Sequence, residues 1–144
     1  MQESSLENYQ VAKIGKRGIA FFIDSFVIVL LLMTIYSHQM KYVVNEESLA
    51  IFFSDKFLPF SLLSFIYQTL FVWKYGVTLG KLTVRIRVVE IDTNANPSFR
   101  SALLRSGFRV ISDNSMMLGY IVAFFSPLVQ TFHDKISKTV VVDA

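Results

Sequence analysis

The chain has no cysteine, two histidines, three prolines and six glycines in 144 residues. Without cysteine there are no disulfide staples and no thiolate metal or redox site. Two histidines leave little for a zinc centre, so no metal or other cofactor is expected. Charge is also scarce: Asp, Glu, Lys and Arg make up 17% of the residues, against about 25% in an ordinary soluble domain. Apolar residues fill the difference, at 53%, with aromatics at 15% and 14 phenylalanines. That composition excludes disorder and exceeds what one small soluble core needs. The length allows one domain. The expectation is a small integral membrane protein.

Residues 1–16 are polar and read as a cytoplasmic arm, with 17–142 as a single membrane domain. The stretch Gly18–Ser37 carries one charge, Asp24, in 20 residues. As a helix it spans about 30 Å, one bilayer core. It is longer than a signal-peptide apolar region and lacks the small-residue cleavage site. A mixed polar loop is expected over 38–56. A second uncharged stretch, 57–73, lies between Lys56 and Lys74, with Pro59 in its first turn. Tyr67, Trp73 and Tyr75 suit an interfacial aromatic belt. The third segment, 114–132, is diluted by Asn114, Gly119, Pro127 and Gln130 and either spans or re-enters.

Between the second and third segments the pattern changes. Gly76 to Gly80 reads as a turn, since the GxxxG lies past the helix end and the phosphate-loop spacing fails. Over 83–91, Val84, Ile86 and Val88 alternate with Arg85 and Arg87, which predicts a strand. The cluster 92–97 is a turn, and Ser98 caps a helix over 98–111. On that helix Phe99, Leu103, Leu104, Phe108, Val110 and Ile111 share one arc, with Arg105 and Arg109 opposite. This is the pattern of a basic amphipathic helix in the membrane interface. β-Branched residues at 139–142 offer a strand to pair with 83–91. The fold class expected is an all-α membrane protein with this small cytoplasmic β element.

Lys and Arg number three before the first span, two in the first loop, seven in the second and two after the third segment. The positive-inside rule places the N-terminus and second loop in the cytoplasm. Three plain crossings would put the C-terminus outside. An isolated strand over 83–91 is not stable, however, so pairing with 139–142 favours a cytoplasmic C-terminus.

Asp24 is the sharpest chemical signal. A carboxylate inside a membrane helix costs about 2.5–3.5 kcal/mol on insertion scales. It needs a proton, a cationic partner or a watery cavity. Arg17 lies seven residues earlier on the same helix face, about 10 Å away along the axis. One reading is an ion or proton site; the other is a carboxylate that ties helices together. Arg105 and Arg109 are natural partners for it, or a solvated face for anionic lipid. His133 and Asp134 are adjacent, so they do not face each other on a helix. Asp134 reads as a capping or docking acid that binds Arg17 or a backbone end. No nucleophile sits in a recognised motif, so no enzymatic activity is expected.

The segment KRGIAFFIDSFVI resembles the opening of the RDD family of small bacterial membrane proteins, named for one Arg and two Asp. GVTLGKLTVRIRVVEID, NPSFRSALLRSGFR and SPLVQTFHDKISKTVVV resemble its later segments in order. The likeness covers roughly residues 12–142. It implies that Arg17, Asp24 and Asp134 are the named residues and that Arg105 is a recurrent Arg. The family often has Gly, Ala or Arg after the closing His-Asp, where this chain has Lys-Ile-Ser-Lys. The resemblance implies an inner-membrane protein loosely linked to transport, some members being similar to sodium–proton antiporters. Two functions follow as expectations. One is proton- or cation-coupled transport at Asp24, within a homo-oligomer or larger complex. The other is a non-transporting accessory or scaffold protein whose Arg and Asp residues are structural. In that case the basic cytoplasmic surface binds a partner or anionic lipid. No nucleic-acid partner is expected.

Overall fold

The computed structural model describes residues 10–93, 95–114 and 130–143. In chain order these form α1 (Ile14–Ile35), α2 (Ser37–Met40), α3 (Glu46–Asp55), α4 (Phe57–Tyr75), α5 (Leu79–Thr83) and β1 (Ile86–Glu90). Then follow α6 (Phe99–Asn114), α7 (Phe132–Ser137) and β2 (Thr139–Asp143). The segment expected over 114–132 falls almost wholly on 115–129, outside the described residues, as do residues 1–9 of the arm.

Among the described residues, α1 and α4 are the two helices long and apolar enough to cross a membrane. Their packing is inverted relative to a water-soluble protein. The buried residues of α1 are Ala20, Asp24, Ile28 and Leu32, a seam at intervals of four. Phe22, Phe26, Leu31 and Ile35 point outward, with Phe22 73% exposed. On α4 the buried set is Tyr67, Gln68, Thr69 and Val72, while Leu58, Leu62, Ile66 and Leu70 are exposed. Large contiguous apolar surface around a polar interior is what a lipid solvent selects.

The alternation over 83–91 does form a strand, and it pairs antiparallel with β2, Ile86 opposite Asp143 and Glu90 opposite Thr139. The strand starts three residues later than expected. Leu79–Thr83 is instead a helical turn, capped by the Thr78 side chain, which accepts from Lys81 N. Arg85, at φ 56°, makes the break before the strand. Val11 bridges to Val142, and Ala12 N donates to Val141 O at 3.0 Å. Residues 10–12, expected in the polar arm, therefore extend the sheet. Val88, Val141, Ile86, Val72, Ala12, Ala20 and Ala102 form one core between the sheet and the helices.

Two further expectations need correction. The loop over 38–56 contains α2 and α3. Asn45 caps α3 by accepting from Ser48 N at 2.8 Å, and Glu46 and Glu47 sit in its first turn, where the helix dipole favours acids. The other concerns α6, which begins as expected, with Ser101 N donating to Ser98 Oγ at 3.2 Å. Its apolar face points outward, as an interfacial helix requires, but its basic face is buried in protein and not solvated. Arg105 is 3% exposed and Arg109 7%, with Ala102, Ser106 and Ser112 also buried, while Phe99, Leu103 and Ile111 are exposed. The charged face turns inward because Asp134 and the polar groups of α7 wait there. The apolar face is left for lipid. The T-shaped contact of Trp73 with Phe99, 5.1 Å between centroids, joins α4 to α6 at that face.

Candidate functional site

Two buried carboxylates organise the interior, and they have different partners. Asp24 lies ten residues into α1 and is 2% exposed. Its Oδ1 accepts from Tyr67 Oη at 2.8 Å and from Gly80 N at 2.8 Å. Its Oδ2 accepts from Thr78 Oγ1 at 2.6 Å and from Gln68 Nε2 at 3.4 Å. Second bonds favour these proton directions. Leu79 N donates to Tyr67 Oη at 3.0 Å, and Lys81 N to Thr78 Oγ1 at 3.4 Å, which leaves both hydroxyl protons for Asp24. Four donors fill the lone-pair sites of an ionised carboxylate. None is a cation. The ion pair with Arg17 or Arg105 that the sequence suggested for Asp24 is absent.

Gly80 makes this geometry possible. A Cβ there would collide with the Ala20 carbonyl oxygen and stand 2.9 Å from Asp24 Cγ. α5 thus lies backbone to backbone on α1, and its first turn presents a bare N–H to the carboxylate.

Asp134 is fully buried and takes the cations instead. Arg17 Nη2 donates to its Oδ2 at 2.5 Å, and Arg105 Nη1 pairs with its Oδ1. Thr131 N also donates to Oδ2, at 3.1 Å, so the same carboxylate caps α7. Arg105 Nη1 further donates to Thr139 Oγ1 at 3.1 Å, reaching β2. One carboxylate therefore ties α1, α6, α7 and, through Arg105, the sheet. Charge-assisted bonds of this kind are strong where water is excluded.

His133 is buried beside this cluster, its Nε2 3.8 Å from Asp134 Oδ1. Burial holds its pKa well below 6.5, and the cations of Arg105, Arg109, Arg17 and Lys81 push the same way. Arg109 lies over the Phe21 ring at 5.3 Å. Lys81, on α5, closes the group. Burial, then Arg109 and Arg105, hold its pKa well below 10.5, with Asp24 opposing and Arg17 adding to the depression. Arg17, Phe21, Lys81, Arg105, Arg109 and His133 line one half-enclosed recess. No group of three or more His, Asp or Glu that could hold a metal ion occurs among the described residues.

The chain matches the RDD family over residues 11–138. It belongs to the RDD family. That match covers most of this RDD chain and, with two apolar helices, makes it a membrane protein. No curated protein and no solved structure matches it.

Of the residues singled out in this RDD protein's sequence, five meet in one place: Arg17, Arg105, Arg109, His133 and Asp134. Asp24 stands beside them in a polar nest of its own. The sequence reading missed Tyr67, Gln68, Thr78, Gly80 and Lys81. Tyr67 had the look of a belt residue and Gly80 of a turn. The available signal was Gln68, an amide inside a membrane helix, which needs a buried partner.

Proposed function

We propose that this RDD protein is a non-transporting, non-enzymatic scaffold of the bacterial inner membrane, with its N-terminus, second loop and C-terminus cytoplasmic. The observation that carries this reading is the saturation of Asp24. Four neutral donors occupy it, from α4, Thr78 and α5. A carboxylate that cycles a proton or passes a cation must surrender donors on each turnover, at about 1–3 kcal/mol for each one stranded. Asp24 instead welds α1 to α4 and α5, and Asp134 welds the cytoplasmic cap to the same helix.

The orientation is supported by the seven Lys and Arg of the second loop and by the sheet. Residues 10–12, β1 and β2 share hydrogen bonds, so the three segments lie on one side. The exposed bases of that loop, Lys74, Arg85 and Arg100, then face anionic leaflet lipid. Partners are further copies of the chain or a larger membrane complex, with no nucleic acid involved.

The test is ion flux in proteoliposomes for wild type and Asp24→Asn. Both should stay at the level of protein-free vesicles. Flux above that level, abolished in a folded Asp24→Asn, overturns the reading. Topology is read from single-cysteine probes on the cysteine-free chain. Lys135 and Glu47 are exposed and suit such probes. Glu47→Cys should label on intact cells, and Lys135→Cys only after they are opened.

A further inference from the structure

The recess between α1, α5, α6 and α7 contains a group that the two carboxylates do not satisfy. Asp134 is engaged by Arg17, Arg105 and Thr131 N. Asp24 is filled by its four neutral donors. Lys81 is only 6% exposed, and its ammonium, open to the recess, makes no hydrogen bond or ion pair among the described residues. It points into the recess, with the guanidinium groups of Arg17, Arg105 and Arg109 as its fellow lining residues. An ammonium that opens into a recess beside three guanidinium groups gives that recess a positive potential that draws an anion.

We propose that this recess is an anion site that takes a tetrahedral phosphate group, with Lys81 as its central ligand and Arg109 and Arg105 at its sides. Guanidinium forks suit phosphate oxygens two at a time, and a lysine supplies a point charge between them. Phe21 forms the apolar wall of the recess. The phosphate could belong to an anionic lipid headgroup or be free in solution. The placement favours the headgroup. Arg17 stands in the first turn of α1, where the apolar stretch begins, and the outward faces of α1 and α6 around the recess are apolar. A lipid phosphate at that level meets the recess while its chains run along those faces. The inference deepens the scaffold reading and rests on it, because it takes the carboxylates as fixed.

The experiment uses the full chain in neutral detergent. Thermal unfolding and titration calorimetry are run with inorganic phosphate, with short-chain phosphatidic acid, with short-chain phosphatidylcholine, and with chloride at matched ionic strength. Wild type should gain a higher unfolding temperature with phosphatidic acid and none with phosphatidylcholine or chloride. A rise with inorganic phosphate as well means the site accepts any such oxyanion; a rise with phosphatidic acid alone means the headgroup carries it. Either supports the proposal. Lys81→Met should lower the affinity about tenfold or more, as expected for one lost charge-assisted contact. It should keep or raise the unliganded unfolding temperature, because it removes a buried charge. If Lys81→Met does not fold, Lys81→Gln makes the same comparison. No rise in wild type, an equal rise with chloride, or a variant within about twofold of wild type in affinity overturns the site. The two readings fail separately. Phosphate binding alongside real ion flux removes the scaffold and keeps the site, and neither flux nor binding does the reverse.

Discussion

Replacing Asp24 separates a structural carboxylate from a working one, and the geometry sets the size of the effect. Three of its bonds are short, at 2.6, 2.8 and 2.8 Å. A hydrogen bond to a charged group contributes about 1.5–3 kcal/mol, a neutral one about 0.5–1.5. Neutralising the acceptor therefore weakens each by about 1 kcal/mol, or about 3 kcal/mol together. Asp24→Asn also turns one oxygen into a donor. The Gly80 N–H cannot turn away and the Thr78 hydroxyl can, so the amide oxygen takes the Oδ1 position and the NH₂ faces Thr78. Asp24→Ala is worse. It strands two hydroxyls and an N–H in a buried site, at about 1–3 kcal/mol each, on the order of 6 kcal/mol in sum. The bilayer adds in the same direction. An unpacked helix carries the carboxylate at a cost of about 3 kcal/mol, relieved on packing, and neutral variants lose that driving force. The assay is reversible unfolding in mixed micelles, followed by the fluorescence of Trp73, the single tryptophan. The expected order is wild type, then Asn, then Ala, with gaps of about 3 kcal/mol. Three proteins equal within about 0.5 kcal/mol would refute the structural role.

Gly80→Ala should loosen α5 from α1 by at least about 1–3 kcal/mol, since its Cβ meets backbone that has no room to move. A helical thermal signal unchanged from wild type would count against that close approach. Arg17→Met should cost about 3–5 kcal/mol, because it leaves part of the Asp134 charge uncompensated. Asp134→Asn together with Arg17→Met should cost less than the sum of the singles, and additive losses in the double-mutant cycle would show that the pair is uncoupled. His133 makes stability fall on acidification. Its folded pKa lies well below 6.5, so the unfolded chain takes up the proton first. The contribution is complete above pH 6.5 and is lost as pH falls from there toward the depressed value. A stability–pH curve for His133→Gln should be flatter over that window; an identical slope would place the acid sensitivity elsewhere.

The parts legible in the sequence were those set by local pattern. Two apolar runs became α1 and α4 with nearly the expected bounds. The alternation of Ile86, Arg87 and Val88 became β1, and the need of a lone strand for a partner picked out β2. Ser98 began α6 where a cap belonged. Patterns of two and of 3.6 residues are intrinsic to the chain, and a missing ladder partner is a local deficit that sequence reveals. The resemblance over residues 12–142 agrees closely with the family match over 11–138.

Other features were decided by the tertiary structure. Periodicity shows that α6 has two faces but not which solvent each meets. In lipid the apolar face turns out, as the interfacial reading had it, and the arginines turn into the protein and not toward solvent. Asp24 and Arg17 share a helix face, yet the carboxylate finds Tyr67, Thr78 and Gly80 while the arginine finds Asp134, 117 residues away in sequence. Lys81 was one base among seven in a loop until α5 folded onto α1 and buried it. The sequence by itself determined which segments are helix or strand and that its few charges had to be partnered. Only the tertiary structure assigned the partners, because such pairings depend on helix rotation and close backbone approach, which no single segment encodes.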